Sequence, residues 1–120
     1  MTLSHDEFER VCDHFALLPK RGVTRMEIRM PAMVAPVEDG VTGDAVKTSL
    51  RDVSLKGATL LHRGSMKLGA HVALVMDARW LIWRVDNVKR FVDGSTMIML
   101  SHVKLIEPPS RVMGAGLGVL

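Results

Sequence analysis

Arg21 and Arg25 stand four residues apart near the start of this chain, and Asp52-Val53-Ser54-Leu55-Lys56-Gly57 follows further along. These residue types suit recognition of a phosphorylated base. Arginine offers a planar fork of donors that matches phosphate oxygens or the O6/N7 edge of guanine. An aspartate accepts from the N1–H and N2–H₂ edge of the same base, a serine adds a hydroxyl, and a glycine lets backbone come close. The chemistry on offer is the binding of a guanine nucleotide.

R-x-x-x-R by itself occurs on many exposed helices, and D-x-S-x-x-G by itself describes many ordinary turns. Their order and separation carry the information. Arg25 leads into Met26-Glu27-Ile28-Arg29-Met30-Pro31, an alternating segment closed by proline, and Gly57-Ala58-Thr59-Leu60-Leu61 reads as a strand that continues from the second motif. Together these segments resemble the two signature motifs of the PilZ domain, the bacterial receptor module for cyclic di-GMP, over roughly residues 18–107. Arg25 and Arg29 form a second, overlapping R-x-x-x-R. Arg29 falls inside the alternating segment and reads as a solvent-facing strand residue. Arg21 and Arg25 fall on the irregular stretch after Pro19, where a ligand clamp is expected, and are the better pair.

The resemblance implies a fold, a ligand and a role. The fold would be all-β: a small antiparallel six-stranded split barrel with an N-terminal amphipathic helix. Arg21 and Arg25 would clamp cyclic di-GMP from the N-terminal loop, with Lys20 as a third cation. Asp52, Ser54 and Gly57 would receive a guanine on the barrel surface. Ligand binding would order the arginine loop, and a downstream protein would read the change. No catalytic residue, metal or cofactor is implied, so the expectation is a receptor or adaptor rather than an enzyme. The rival reading is a PilZ-like protein–protein interaction module that binds no nucleotide.

The elements that must position these residues are legible as pattern. Ser4 and Glu7 form a capping box ahead of Phe8, Val11, Cys12 and Phe15, which recur at i, i+3, i+4 and i+7 along one helix face. That face suits packing on its own domain, and equally a partner or a second copy of the chain. From Met26 onward strands are expected at residues 26–29, 45–54, 57–62, 71–76 and 80–85. Asp93-Gly94, between Phe91-Val92 and Thr96-Met97-Ile98, marks a hairpin. Trp80 and Trp83 read as barrel filling rather than stacking platforms. The expected organisation is a helix over 1–18, a barrel over 19–108 and a Gly-rich apolar tail over 109–120.

Composition narrows the classes. A chain of 120 residues makes one domain with a modest core. A net charge of +3 suits an anionic ligand but lacks the dense basic stripe that nucleic acid needs. No apolar run reaches membrane-spanning length, so no membrane insertion and a cytoplasmic location are expected. The lone Cys12 cannot form an internal disulfide. The five histidines show no metal-ligand spacing, though His62 and His71 could meet across a hairpin. The run from Gly64 to Gly69 carries Ala70 where a P-loop needs lysine. Nothing assembles a catalytic site.

Overall fold

A computed structural model describes residues 1–17, 23–76 and 79–106. One helix precedes seven strands: α1 (His5–His14), β1 (Arg25–Glu38), β2 (Val41–Thr42), β3 (Val46–Ser54), β4 (Gly57–Arg63), β5 (His71–Met76), β6 (Arg79–Arg90) and β7 (Ser95–Ile106). The strands run in the order β2-β1-β3-β4-β7-β6-β5, and pairing of β1 with β5 closes six of them into an antiparallel barrel. Closure removes the sheet edges that would otherwise expose unpaired backbone groups.

β1 is the strand that makes closure possible. Residues 25–34 pair with β3, and residues 35–37 switch to β5. The alternating run Met26-Glu27-Ile28-Arg29 therefore extends through two prolines. Pro31 pairs with Ser49 of β3 and Pro36 with Val72 of β5, and the Pro36 carbonyl also accepts from the Gly43 N–H at 2.7 Å, just beyond β2. Asp39 (φ 51°) and Gly40 (φ 75°) then form a two-residue turn into β2, which pairs Glu38 with Val41.

The barrel is filled by inward residues that recur along each strand, among them Leu50, Val53, Leu60, Leu81, Trp83, Val85 and Ile98. Ser4 caps α1 as the sequence suggests: its hydroxyl accepts from the Glu7 N–H at 3.1 Å, and Glu7 Oε1 accepts from the Ser4 N–H at 2.8 Å. Phe8, Val11, Cys12 and Phe15 are buried in the same core as the barrel interior. The helix face is thus used within the domain. Trp83 fills the barrel, whereas Trp80 is buried in a separate cluster with Ala73 and Ile82.

Two local expectations shift. Phe91 and Val92 are not strand residues: β6 ends at Arg90, and residues 91–94 make the turn. The Phe91 N–H donates to the Ser95 carbonyl at 2.9 Å, and the Asp93 carboxylate accepts from the Ser95 N–H and hydroxyl at 2.9 and 2.6 Å, which closes the loop early. His62 and His71 lie on β4 and β5, separated in the sheet by β7 and β6. His62 instead bonds Thr48 across the β3–β4 pair at 3.0 Å. Pro19 and residues 109–120 fall outside the described residues.

Candidate functional site

The ladder between β1 and β3 brings the two motifs together. Arg25 is the first residue of β1 and pairs with Ser54; Glu27 pairs with Asp52. Pairing continues past both strand ends, where the Leu55 N–H donates to the Thr24 carbonyl at 3.0 Å. Residues far apart in sequence thus share one corner of the barrel. They border an open groove of about 560 Å³ over the outer face of β3, β4 and β7. Ligand-sized sites commonly enclose roughly 300–1,000 Å³.

Four of the residues expected from sequence line this groove: Arg25, Asp52, Ser54 and Gly57. Arg21 and Lys20 lie outside the described residues. The four do different work. The Ser54 hydroxyl accepts from the N–H groups of Lys56 and Gly57, at 3.2 and 3.1 Å, and lies 3.3 Å from the Gly57 carbonyl. It builds the turn between β3 and β4. Gly57 serves the protein's own backbone: a Cβ there would overlap the Leu100 carbonyl oxygen and sit 3.1 Å from Ser101 Cα. Arg25 and Asp52 are the two of the four whose side-chain polar groups remain for a ligand.

The turn is held from beneath by His102, which is 1 % exposed. Trp83 Nε1 can only donate, and it meets His102 Nδ1 at 2.7 Å, so Nδ1 is the unprotonated nitrogen. Nε2 then carries the proton and donates to the Ser54 carbonyl at 2.9 Å. Burial pushes the imidazole pKa below its ordinary value, while the bond to Ser54 acts in the opposite sense. The His102 N–H donates to the Lys56 carbonyl at 2.9 Å, and the Leu3 N–H donates to the Leu55 carbonyl at 2.7 Å. The second motif is therefore fixed by the core strands on one side and by the N-terminal segment on the other.

Several groove residues were not legible as such in the sequence. Arg29, Arg51, Lys56 and Asp86 join Arg25, Glu27 and Asp52 around it, with Met97 and Met99 on its floor. Three of these sit at β-bulges. Between Glu27↔Asp52 and Met30↔Leu50, Ile28 and Arg29 on β1 oppose Arg51 alone. Between Leu50↔Leu60 and Asp52↔Thr59, Arg51 is the extra residue on β3. Between Val85↔Leu100 and Asn87↔Met99, Asp86 is the extra residue on β6. The bulges on β3 and β6 interrupt alternation, which is why a period-2 reading passes over Arg51 and Asp86; Arg29 stays in phase with Arg25 and Glu27. The only signal for Arg29 was the overlapping R-x-x-x-R, and the strand reading set it aside.

The electrostatics are mixed and locally sorted. Asp86 is engaged by Arg84 at 2.9 Å, and that hydrogen bond holds its carboxyl below the usual range. Glu27 and Asp52 are direct cross-strand partners, so their carboxylates project to the same side. Two adjacent acceptor groups suit a base edge with adjacent N–H donors. Among the described residues no side-chain hydrogen bond or ion pair engages the guanidinium of Arg25, Arg29 or Arg51. No group of His, Cys, Asp or Glu among the described residues could hold a metal ion. No helix among them is long and apolar enough to cross a membrane.

A scan against protein-family models and a search of curated proteins found no match to this chain.

Proposed function

We propose that this protein is a PilZ-type receptor that binds cyclic di-GMP and passes the signal to a partner protein. The observation that carries the reading is the β1–β3 register, which sets Arg25 beside Ser54 and Glu27 beside Asp52 over a single groove. Arg25 would donate to a phosphate or to the guanine O6/N7 edge. Asp52, with Glu27 beside it, would accept from the guanine N1–H and N2–H₂. Ser54 and Gly57 would act by shaping the turn that presents Asp52. Arg21 and Lys20, which lie outside the described residues, would be further cations for the same ligand. A dianion bridging their segment and the barrel would fix the two against each other, and the fixed state is what a partner would bind.

Calorimetric titration with cyclic di-GMP is the test, with Arg21→Ala and Arg25→Ala as variants. Charge-assisted hydrogen bonds contribute about 1.5–3 kcal/mol each, so either substitution should weaken binding by about tenfold or more without unfolding the chain. Wild-type protein that takes up no cyclic di-GMP would instead select the interaction-module reading.

A further inference from the structure

We propose that Arg29 and Arg51 form a second phosphate-binding locus on the barrel wall, so that cyclic di-GMP is held at both of its phosphodiesters. The inference rests on the receptor reading above and adds to it a pair of residues that lie outside both motifs. Arg29 adopts φ 51° in the middle of a strand. That left-handed conformation is strained for any residue with a long side chain and easier for asparagine or glycine. Such strain persists where the surroundings over-determine it, and it collects at ligand-binding positions. Here the surroundings are a bulge, in which Ile28 and Arg29 on β1 stand opposite Arg51 alone on β3. Arg51 is in turn the extra residue of β3 against β4. Arg29 faces outward in phase with Arg25 and Glu27, and the β3 bulge sets Arg51 beside Asp52, so both guanidinium-bearing residues line one groove.

Among the described residues neither guanidinium has a hydrogen-bond or ion-pair partner, Glu27 and Asp52 included. Arg25 and Lys56 line the same groove. Glu27, Asp52 and Asp86 line it too, so the groove is not uniformly basic; what Arg29 and Arg51 offer is two unengaged guanidinium forks, and a phosphodiester fits the arginine fork. Cyclic di-GMP carries two phosphodiesters on one ring. If the R-x-x-x-R pair takes one of them, the bulge arginines are the groups placed to take the other.

The test compares Arg29→Asn and Arg51→Gln with wild type, by calorimetry with cyclic di-GMP and by thermal unfolding without ligand. Arg29→Asn should melt at the same temperature as wild type or higher, because asparagine tolerates the left-handed conformation. Its affinity should nevertheless fall by about tenfold, as should that of Arg51→Gln. A merely structural arginine would move stability and affinity in the same direction. Wild-type binding matched within twofold by both variants would overturn this inference and leave the receptor reading standing. Arg29→Asn that loses melting temperature and affinity together would also overturn it. Wild-type protein that binds no cyclic di-GMP would overturn both.

Discussion

Replacing Gly57 with alanine should destabilise the fold even though no ligand is present. A methyl carbon at residue 57 would overlap the Leu100 carbonyl oxygen, with the carbonyl carbon 2.8 Å and Ser101 Cα 3.1 Å away. Carbon atoms settle at about 3.5–4.0 Å, and the overlapped oxygen demands a larger shift than the carbons, so β4 and β7 must separate locally by more than about 1 Å. The obstacle is backbone and cannot rotate aside. A ladder bond near 2.9 Å that lengthens by about 1 Å passes out of hydrogen-bonding range. The Gly57↔Ser101 pair lies at the end of that ladder, and the His102 N–H to Lys56 carbonyl bond of 2.9 Å lies just beyond it. Two lost bonds cost about 1–3 kcal/mol together. Overpacking strain adds about 1–3 kcal/mol. Against this, alanine narrows the unfolded ensemble and gives back about 0.4–1 kcal/mol. The net expectation is a loss of about 1–5 kcal/mol, centred on about 3 kcal/mol. With a urea m-value of about 2 kcal/mol/M, the central loss lowers the unfolding midpoint by about 1.5 M. Trp83, buried and bonded to His102, is a natural fluorescence probe for the transition. An unchanged midpoint at unchanged slope would refute the argument that the second motif's glycine is required by the neighbouring strand.

Ser54→Ala should cost about 1–2 kcal/mol in the same assay, because two turn N–H groups lose their acceptor; a neutral result would mean water replaces the hydroxyl at no cost. Acid should destabilise the protein through His62 and His102, whose pKa values burial holds below the ordinary 6.5. Below that value the unfolded chain binds more protons than the folded one, so stability is full above about pH 6.5 and declines as pH falls towards the folded pKa values. The slope is at most about 1.4 kcal/mol per pH unit for each histidine; a urea midpoint flat from pH 7.5 to 5 would contradict it. Asp52→Asn should erode preference for cyclic di-GMP over cyclic di-AMP, since adenine offers an acceptor at N1 and no 2-amino group. Equal affinity of the wild-type chain for the two dinucleotides in competition would remove Asp52 from that role.

The sequence by itself determined the elements whose cause is local. Ser4 and Glu7 cap α1 because their side chains reach the first-turn N–H groups of their own helix. The apolar period of Phe8, Val11, Cys12 and Phe15 sets one buried face, and Asp39-Gly40 makes a tight turn because both residues accept positive φ. Strand alternation and the punctuation between strands were enough for an all-β class, barrel or sandwich, and the barrel itself was an expectation from the resemblance. Tertiary structure decided which strands are neighbours, and with that what each motif residue does. Gly57 matters because β7 passes within contact of it, and His102 supports Ser54 because a strand some fifty residues downstream returns beneath the turn. Arg51 and Asp86 reach the groove because bulges break the alternation that local pattern assumes, whereas Arg29 faces out in phase with Arg25 and Glu27 and is brought to the groove by the pairing of β1 with β3. A bulge is set by how two strands fit against each other, and neither strand's own sequence contains that information.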